Sequence, residues 1–276
     1  MCLLVAFQGE LDFSLEAANL NEFRAFLVAN GLTDVATAPK PYPAASGRRT
    51  LTMERLRGVA LVDLEGIKSF AANPEQTLVN ALNTWALSVY ACPSFHADVH
   101  AGNLLVLQGG KVGFIDFGIV GRVPPTIWAS LQALALAFAG GGGRGGGPNF
   151  TLAAEALVAM GATEATVDVA SFARDLEAVY AKLDGVAADL SANPSGLGLD
   201  EAGQLDEASA VAGLAVELVG VAQRNGVKLP REFGILLKQV LYFDRYTRLL
   251  APGLDLVTDD RLQTLRSASA DSNQRP

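Results

Sequence analysis

Three polar residues stand at the ends of short apolar segments. Asp98 and Asn103 lie in Phe95-His-Ala-Asp-Val-His-Ala-Gly-Asn103, and Asp116 lies in Val112-Gly-Phe-Ile-Asp-Phe-Gly118. They are spaced five and thirteen residues apart. That set suits phosphoryl transfer. A carboxylate such as Asp98 orients or deprotonates an attacking hydroxyl. The amide oxygen of Asn103 and the carboxylate of Asp116 hold Mg²⁺ against the phosphates of ATP. Mg²⁺ takes few protein oxygens and keeps its other positions for phosphate and water, so one Asn and one Asp suffice.

The elements around these residues support that chemistry. Leu104-Leu-Val-Leu107 and Val112-Gly-Phe-Ile115 are apolar runs joined by Gln108-Gly-Gly-Lys111. Paired glycines supply the positive φ values of a tight hairpin. Asn103 then opens one strand and Asp116 closes its antiparallel partner, so both come to one end. A surface hairpin with polar ends is common; the joint spacing of all three residues is not.

The spacing resembles that of protein kinases, which carry His-Arg-Asp, an Asn five residues on, and Asp-Phe-Gly. The flanking residues resemble one group in particular. Phe-His-Ala-Asp-x-His-x-Gly-Asn-Leu-Leu-Val followed by Ile-Asp-Phe-Gly-Ile-Val-Gly-Arg is similar to the UbiB (AarF-domain) family of atypical kinases. Glu10-Leu-Asp-Phe-Ser-Leu-Glu-Ala17 resembles that family's Glu-x-Asp motif and its following helix. Leu51-Thr-Met-Glu54 with Gly58 resembles the inter-lobe segment. Leu229-Pro230, Tyr242-Phe-Asp-Arg-Tyr246 and Leu250-Ala-Pro252 resemble its C-terminal helices. The likeness runs from about residue 9 to 260, and it is weak from Gly140 to Gln204. The family's two prolines in the Asp-x-His-x-Gly-Asn loop are replaced here by Val99 and Ala101, which loosens the loop.

The resemblance implies an α+β, protein-kinase-like fold: a mostly helical C-lobe with a truncated N-lobe remnant. The expected parts are an N-lobe remnant at 1–54, a catalytic core at 55–139, a Gly-rich linker at 140–149, a helical region at 150–260 and a polar tail at 261–276. Glu16 takes the place of the helix glutamate that pairs with a phosphate-binding lysine. Met53 and Glu54 would offer backbone groups to adenine. Implied with these are Mg²⁺, ATP, and isoprenoid-quinone or prenyl-lipid metabolism in a plastid or mitochondrion. A lipid or membrane surface is a candidate partner.

No lysine precedes Glu16; the first in the chain is Lys40. A glycine- or alanine-rich loop upstream and the family's Lys-x-Gly-Gln motif are also missing. Two readings stay open: the chain lacks the N-terminal part of a longer protein, or it is a reduced and impaired kinase. A sheet of only two strands, as read here, leaves apolar surface uncovered and favours the first. Glu10 and Asp12 serve either the family motif or simple capping of the first helix.

Composition narrows the classes. Of the 276 residues, 50% are hydrophobic and 18% charged, enough to build a buried core. The net charge of -8 speaks against a nucleic-acid partner. His96 and His100 are the only histidines, so a His-rich zinc site is excluded. Cys2 and Cys92 form no framework; Cys92 reads as a small buried apolar residue. No apolar run reaches the roughly 18 residues of a membrane span, because Glu217 interrupts the nearest one, Ser209 to Ala222. Met1 to Phe7 is too short, and lacks the basic residues, for a signal or transit peptide.

Helices are predicted over Phe13–Asn30, with Asp12 or Ser14 as cap and Gly31 as stop, and over Pro74–Tyr90, with Leu78, Leu82, Trp85 and Val89 on one face. Arg49 to Glu54 reads as a short strand. Thr126–Ala139 reads as a helix running into Gly140–Gly147. That glycine run lacks the following Gly-Lys-Ser/Thr of a phosphate cradle and reads as a linker. Four more helices fall in Ala154–Leu183 and Asp206–Leu250, with a break at Ser191 to Gly198.

Ala97 replaces the Arg that receives an activation-loop phosphate in many kinases. Only Ile119–Pro125 separates Gly118 from the next helix, with no Ala-Pro-Glu anchor. A small-molecule, lipid-related or ATPase role is therefore expected over peptide phosphorylation. Arg122 forms either an ion pair or a phosphate contact; His100 bonds within its loop or approaches the γ-phosphate. The leading expectation is a UbiB-like kinase or ATPase. The alternatives are a catalytically impaired scaffold and a small-molecule phosphotransferase of the aminoglycoside-kinase type.

Overall fold

Helix α1 (Phe13–Ala29) starts and stops on its own side chains. The Asp12 carboxylate accepts the Ser14 N–H at 3.1 Å, filling one of the orphan donors of a helix start. At the far end Gly31 takes φ 66°, and the Leu32 N–H returns to the Leu27 carbonyl at 2.9 Å. Its buried face is Leu20, Phe23, Phe26 and Leu27. In this computed structural model, residues 12–138, 147–163, 166–192, 210–254 and 259–262 are described. Glu10, Cys2, most of the glycine run, residues 193–209 and the tail beyond 262 lie outside them.

A four-stranded mixed sheet follows, not the two strands expected from sequence. Its order is β1 (Ala36–Thr37), β5 (Val112–Phe114), β4 (Leu104–Leu107) and β2 (Gly58–Ala60). β4 and β5 are antiparallel, with Leu104 opposite Phe114 and Val106 opposite Val112. β1 adds in parallel to β5, and β2 antiparallel to β4. The added strands have two and three residues, too few for a hydrophobic period to reveal. Gly58 is required where β2 meets β4, since a Cβ there would stand 2.5 Å from the Val106 carbonyl oxygen.

The strand expected over Arg49–Glu54 is absent. Only single bridges form, between Pro41 and Met53 and between Gly47 and Thr50. Pro39, Pro41 and Pro43 explain this, because each removes a donor that a ladder would need. A short helix that periodicity did not indicate, α2 (Leu64–Phe70), is capped by Asp63, whose carboxylate accepts the Gly66 N–H at 2.9 Å. Helix α3 (Pro74–Ala91) has Pro74 in its first turn and Asn73 as cap. It buries Leu78, Leu82 and Trp85 and half-buries Val89. Cys92, just after it, is buried. A second small sheet pairs β3 (Phe95–His96) with β6 (Val120–Gly121).

Beyond Arg122 the chain is helical: α4 (Pro125–Phe138), α5 (Phe150–Met160), α6 (Val169–Ala192), α7 (Ala210–Arg224) and α8 (Arg231–Leu250). A two-stranded ladder pairs β7 (Ala162–Thr163) with β8 (Val227–Lys228). The four helices expected after residue 150 are thus present, with α6 running on to Ala192. The chain forms two compact units, residues 1–122 with 242–254 and residues 123–241 with 255–276. Residues 1–54 and 55–122 therefore fall in one unit. The second unit has its own apolar core around Phe172, Leu157, Ala154, Ala222 and Val227. Among the described residues, no helix is long and apolar enough to cross a membrane.

Candidate active site

Two antiparallel pairings bring the polar residues together. The glycines at the β4–β5 turn, Gly109 and Gly110, take φ 78° and 77°, the region a side chain disfavours. At the other end of that hairpin the Ile115 N–H donates to the Asn103 carbonyl at 3.0 Å, which carries the register one step past Leu104–Phe114. The β3–β6 pair sets His96 opposite Val120, and the Ala97 N–H donates to the Ile119 carbonyl at 3.2 Å. Asp98 leaves one pair as Asp116 enters it.

His96 joins the two segments. Its Nε2–H donates to the Ile115 carbonyl at 2.9 Å, and its Nδ1 accepts the Asp98 N–H at 3.1 Å. These partners assign the Nε2–H tautomer. The ring is fully buried. Burial holds its pKa below the usual imidazole range, outweighing the Ile115 bond and the pull of the Asp98 and Asp116 carboxylates. The Trp85 indole N–H secures the His96 carbonyl at 2.9 Å.

The loop from Asp98 to Asn103 is tied down from inside and outside. The Asn103 side-chain Nδ2 donates to the Asp98 carbonyl at 2.9 Å. The Gly102 N–H donates to His100 Nδ1 at 3.0 Å, and His100 Nε2 lies 3.8 Å from Asp98 Oδ2. The bond within the loop, one of the two roles open to His100 in sequence, is formed. The Tyr246 hydroxyl donates to the Val99 carbonyl at 3.0 Å. Val99 and Ala101 are buried.

Asp116 has φ 61°, alone in that region among the described non-glycine residues. Asp tolerates this conformation better than most side chains, yet it persists only where neighbours hold it. Phe117 is buried, its ring 4.9 Å from Phe23 and 4.7 Å from His96 between centroids. Glu16 accepts the Phe117 N–H; burial first, then the Asp116 charge, raises its pKa above the ordinary carboxylate value. The Asn19 side chain donates to the Phe117 carbonyl at 3.0 Å. Asn19 carries no sequence signal beyond lying one turn after Glu16 on the same helix face.

Residues 5–141 match the model of the ABC1 atypical kinase-like domain. An Arabidopsis thaliana protein named as an aarF domain-containing protein kinase, chloroplastic, is 45% identical over 265 residues, covering 92% of this chain and 46% of its own. This chain belongs to the ABC1, or UbiB, family of atypical kinase-like proteins. A Mycobacterium tuberculosis protein is 31% identical over 257 residues, covering 92% of this chain and 47% of its own. The chloroplastic Arabidopsis thaliana protein named Activity of bc1 complex kinase 8 is 29% identical over 130 residues, 46% of this chain and 16% of that protein. The chain thus spans about half the length, or less, of these curated relatives. The α+β, kinase-like fold expected from sequence is that of this family.

The ABC1 segment expected to meet adenine is built differently at its two residues. The Glu54 N–H donates to the Lys40 carbonyl at 2.8 Å, and the Glu54 side chain accepts the Lys40 N–H at 3.2 Å. Met53 sits opposite Pro41 in the antiparallel bridge, flanked by the Tyr42–Thr52 and Glu54–Lys40 bonds. In that register its own N–H and C=O point away from the partner segment. The Glu54 N–H is thus taken by Lys40, whereas both backbone groups of Met53 face away from that segment. Arg122 lies 3.9 Å from Glu22, the ion-pair alternative, and Glu22 also accepts the Ser94 hydroxyl.

Among the described residues no group of three or more His, Cys, Asp or Glu gathers as a metal centre. Asn103 Oδ1 and the Asp116 carboxylate are hard oxygen donors, and two of them fit an ion that keeps phosphate and water as its other ligands.

Proposed function

We propose that this chain carries the catalytic part of an ABC1-family kinase or ATPase that uses Mg-ATP. Asp98 orients the acceptor hydroxyl or water and takes its proton. Asn103 and Asp116 would hold Mg²⁺, which would supply positive charge against the phosphates. His96 stays neutral and spaces the two acidic segments. Glu16 keeps Phe117 in place, and the Met53 backbone meets the adenine.

The observation that carries this reading is His96 bonding to both segments, with the charges of Asp98 and Asp116 acting on one ring. The acceptor is a small or lipid-related molecule, or water. Ala97 in place of Arg and the short Ile119–Pro125 connection support this over a peptide. A link to isoprenoid-quinone or prenyl-lipid metabolism follows from family likeness, and relatives named chloroplastic support a plastid setting over a mitochondrial one. Strong phosphate transfer to added proteins by a full-length version would contradict the choice of acceptor.

The deciding experiment is thermal unfolding with and without Mg-ATP, on this chain and on Asp116→Asn. The proposal expects a rise in Tm that the variant loses. A rise equal in both proteins overturns the assigned metal site. No rise in either favours a non-catalytic scaffold.

A further inference from the structure

We propose that Asn19 is a positioning residue that sets the direction of the Asp116 carboxylate through a single backbone peptide. The inference rests on the assignment of Asp116 to Mg²⁺. The Asn19 Nδ2 donates to the Phe117 carbonyl at 3.0 Å. That carbonyl shares a planar peptide with the Gly118 N–H, which donates to Asp116 Oδ1 at 3.2 Å. Holding one end of the plane fixes the direction of the other. Gly118 has no side chain to resist rotation, so the restraint must come from outside.

Every peptide around Asp116 is held in the same way. Upstream, the Ile115 N–H is bound to the Asn103 carbonyl and the Ile115 carbonyl to His96. Downstream, the Phe117 N–H is bound by Glu16 and the Phe117 carbonyl by Asn19. Asp116 therefore keeps its left-handed φ of 61° between peptides fixed on both sides. Glu16, Asn19 and Phe23 stand on one face of α1, and all three contact Phe117. The upstream restraints belong to the motif itself. The downstream carbonyl restraint is a single side-chain hydrogen bond, on an element 98 residues away in sequence.

The test uses the full chain, Asn19→Ala and the isosteric Asn19→Asp, which lacks the donor. Asn21→Ala, on the exposed side of α1, is the control. Mg²⁺ is titrated at fixed ATP and read as the Tm rise. Hydrogen exchange of the Phe117 and Gly118 amides is followed without ligand. The proposal expects the Mg²⁺ half-saturation to rise about fivefold in both Asn19 variants, the scale of one lost hydrogen bond, with the control unchanged. It also expects slow exchange of the Gly118 amide in the parent chain and faster exchange in the variants. Parent-like half-saturation and exchange in folded variants overturn it, and so does an unprotected Gly118 amide in the parent chain. If the parent chain shows no Mg-ATP response, the proposed function fails, while the exchange measurement still decides the Asn19 restraint.

Discussion

The Tyr246 hydroxyl donates to the Val99 carbonyl at 3.0 Å, joining the last long helix to the loop between Asp98 and Asn103. Both residues are fully buried, and Tyr246 also packs edge-on against Phe243 at 6.0 Å. Burial pushes the Tyr246 hydroxyl well above its ordinary pKa, so it remains a donor across the working range of pH. This bond restrains a loop in which the family's prolines are absent. Tyr246→Phe keeps the ring but strands a buried acceptor. It should lower stability by about 1–2 kcal/mol in a urea unfolding series. An unchanged midpoint would remove the loop-anchoring role.

Asn103→Asp separates the two jobs of that side chain. The variant loses the donor to the Asp98 carbonyl and adds a negative charge beside Asp98 and Asp116. Without metal it should be less stable by roughly 1–3 kcal/mol. Added Mg²⁺ alone should raise its Tm more than that of the parent, because the extra carboxylate strengthens an oxygen site. A variant indifferent to Mg²⁺ would argue against Asn103 as a metal ligand.

His96 gives the stability a defined pH dependence. Its folded pKa lies below the unfolded value near 6.5, because burial disfavours the charged ring. The unfolded chain therefore takes up a proton first as pH falls. Its contribution is complete above about pH 6.5 and is lost as pH falls below it. Glu16 has the opposite sign, since its pKa is raised. Tm measured from about pH 7.5 to 5.5 should fall, and His96→Gln should be less stable but flatter over that window. An equal slope in both proteins would refute the assignment.

Gly121 lies opposite Phe95 with no room for a side chain. A Cβ there would come within 2.3 Å of the buried Phe95 ring, which packs edge-on against Trp85. Gly121→Ala should cost about 1–3 kcal/mol by overpacking. It should also weaken Mg-ATP stabilisation, because β3 carries His96. A change confined to either readout would separate the strand's structural role from its support of the site.

The placement of the candidate site's residues was legible along the chain where it is local. Asn103 and Asp116 meet at the end of a hairpin whose glycines must turn, and Asp98 follows the strand that pairs just beyond. The cap at Asp12, Pro74 in the first turn of α3 and the Gly31 stop are equally local. The short strands β1 and β2 were missed because two or three residues carry no period, and Arg49–Glu54 was misread because the prolines that block its ladder lie ten residues away. That the Glu54 N–H is taken by the Lys40 carbonyl was not legible in sequence, because the two residues lie fourteen apart.

Sequence by itself determined the identities and spacing of Asp98, Asn103 and Asp116, and the tight turn between two of them. Backbone sterics and one-strand-to-the-next pairing act over a few residues, so they can be read in order. Only the tertiary structure decided that Asn19 and Glu16 hold Phe117, that Tyr246 holds Val99, and that Asp116 sits at positive φ. Those bonds join backbone groups to side chains up to 147 residues distant. A polar residue on a helix face has the same local signature whether it meets water or another segment's backbone, and only packing distinguishes the two.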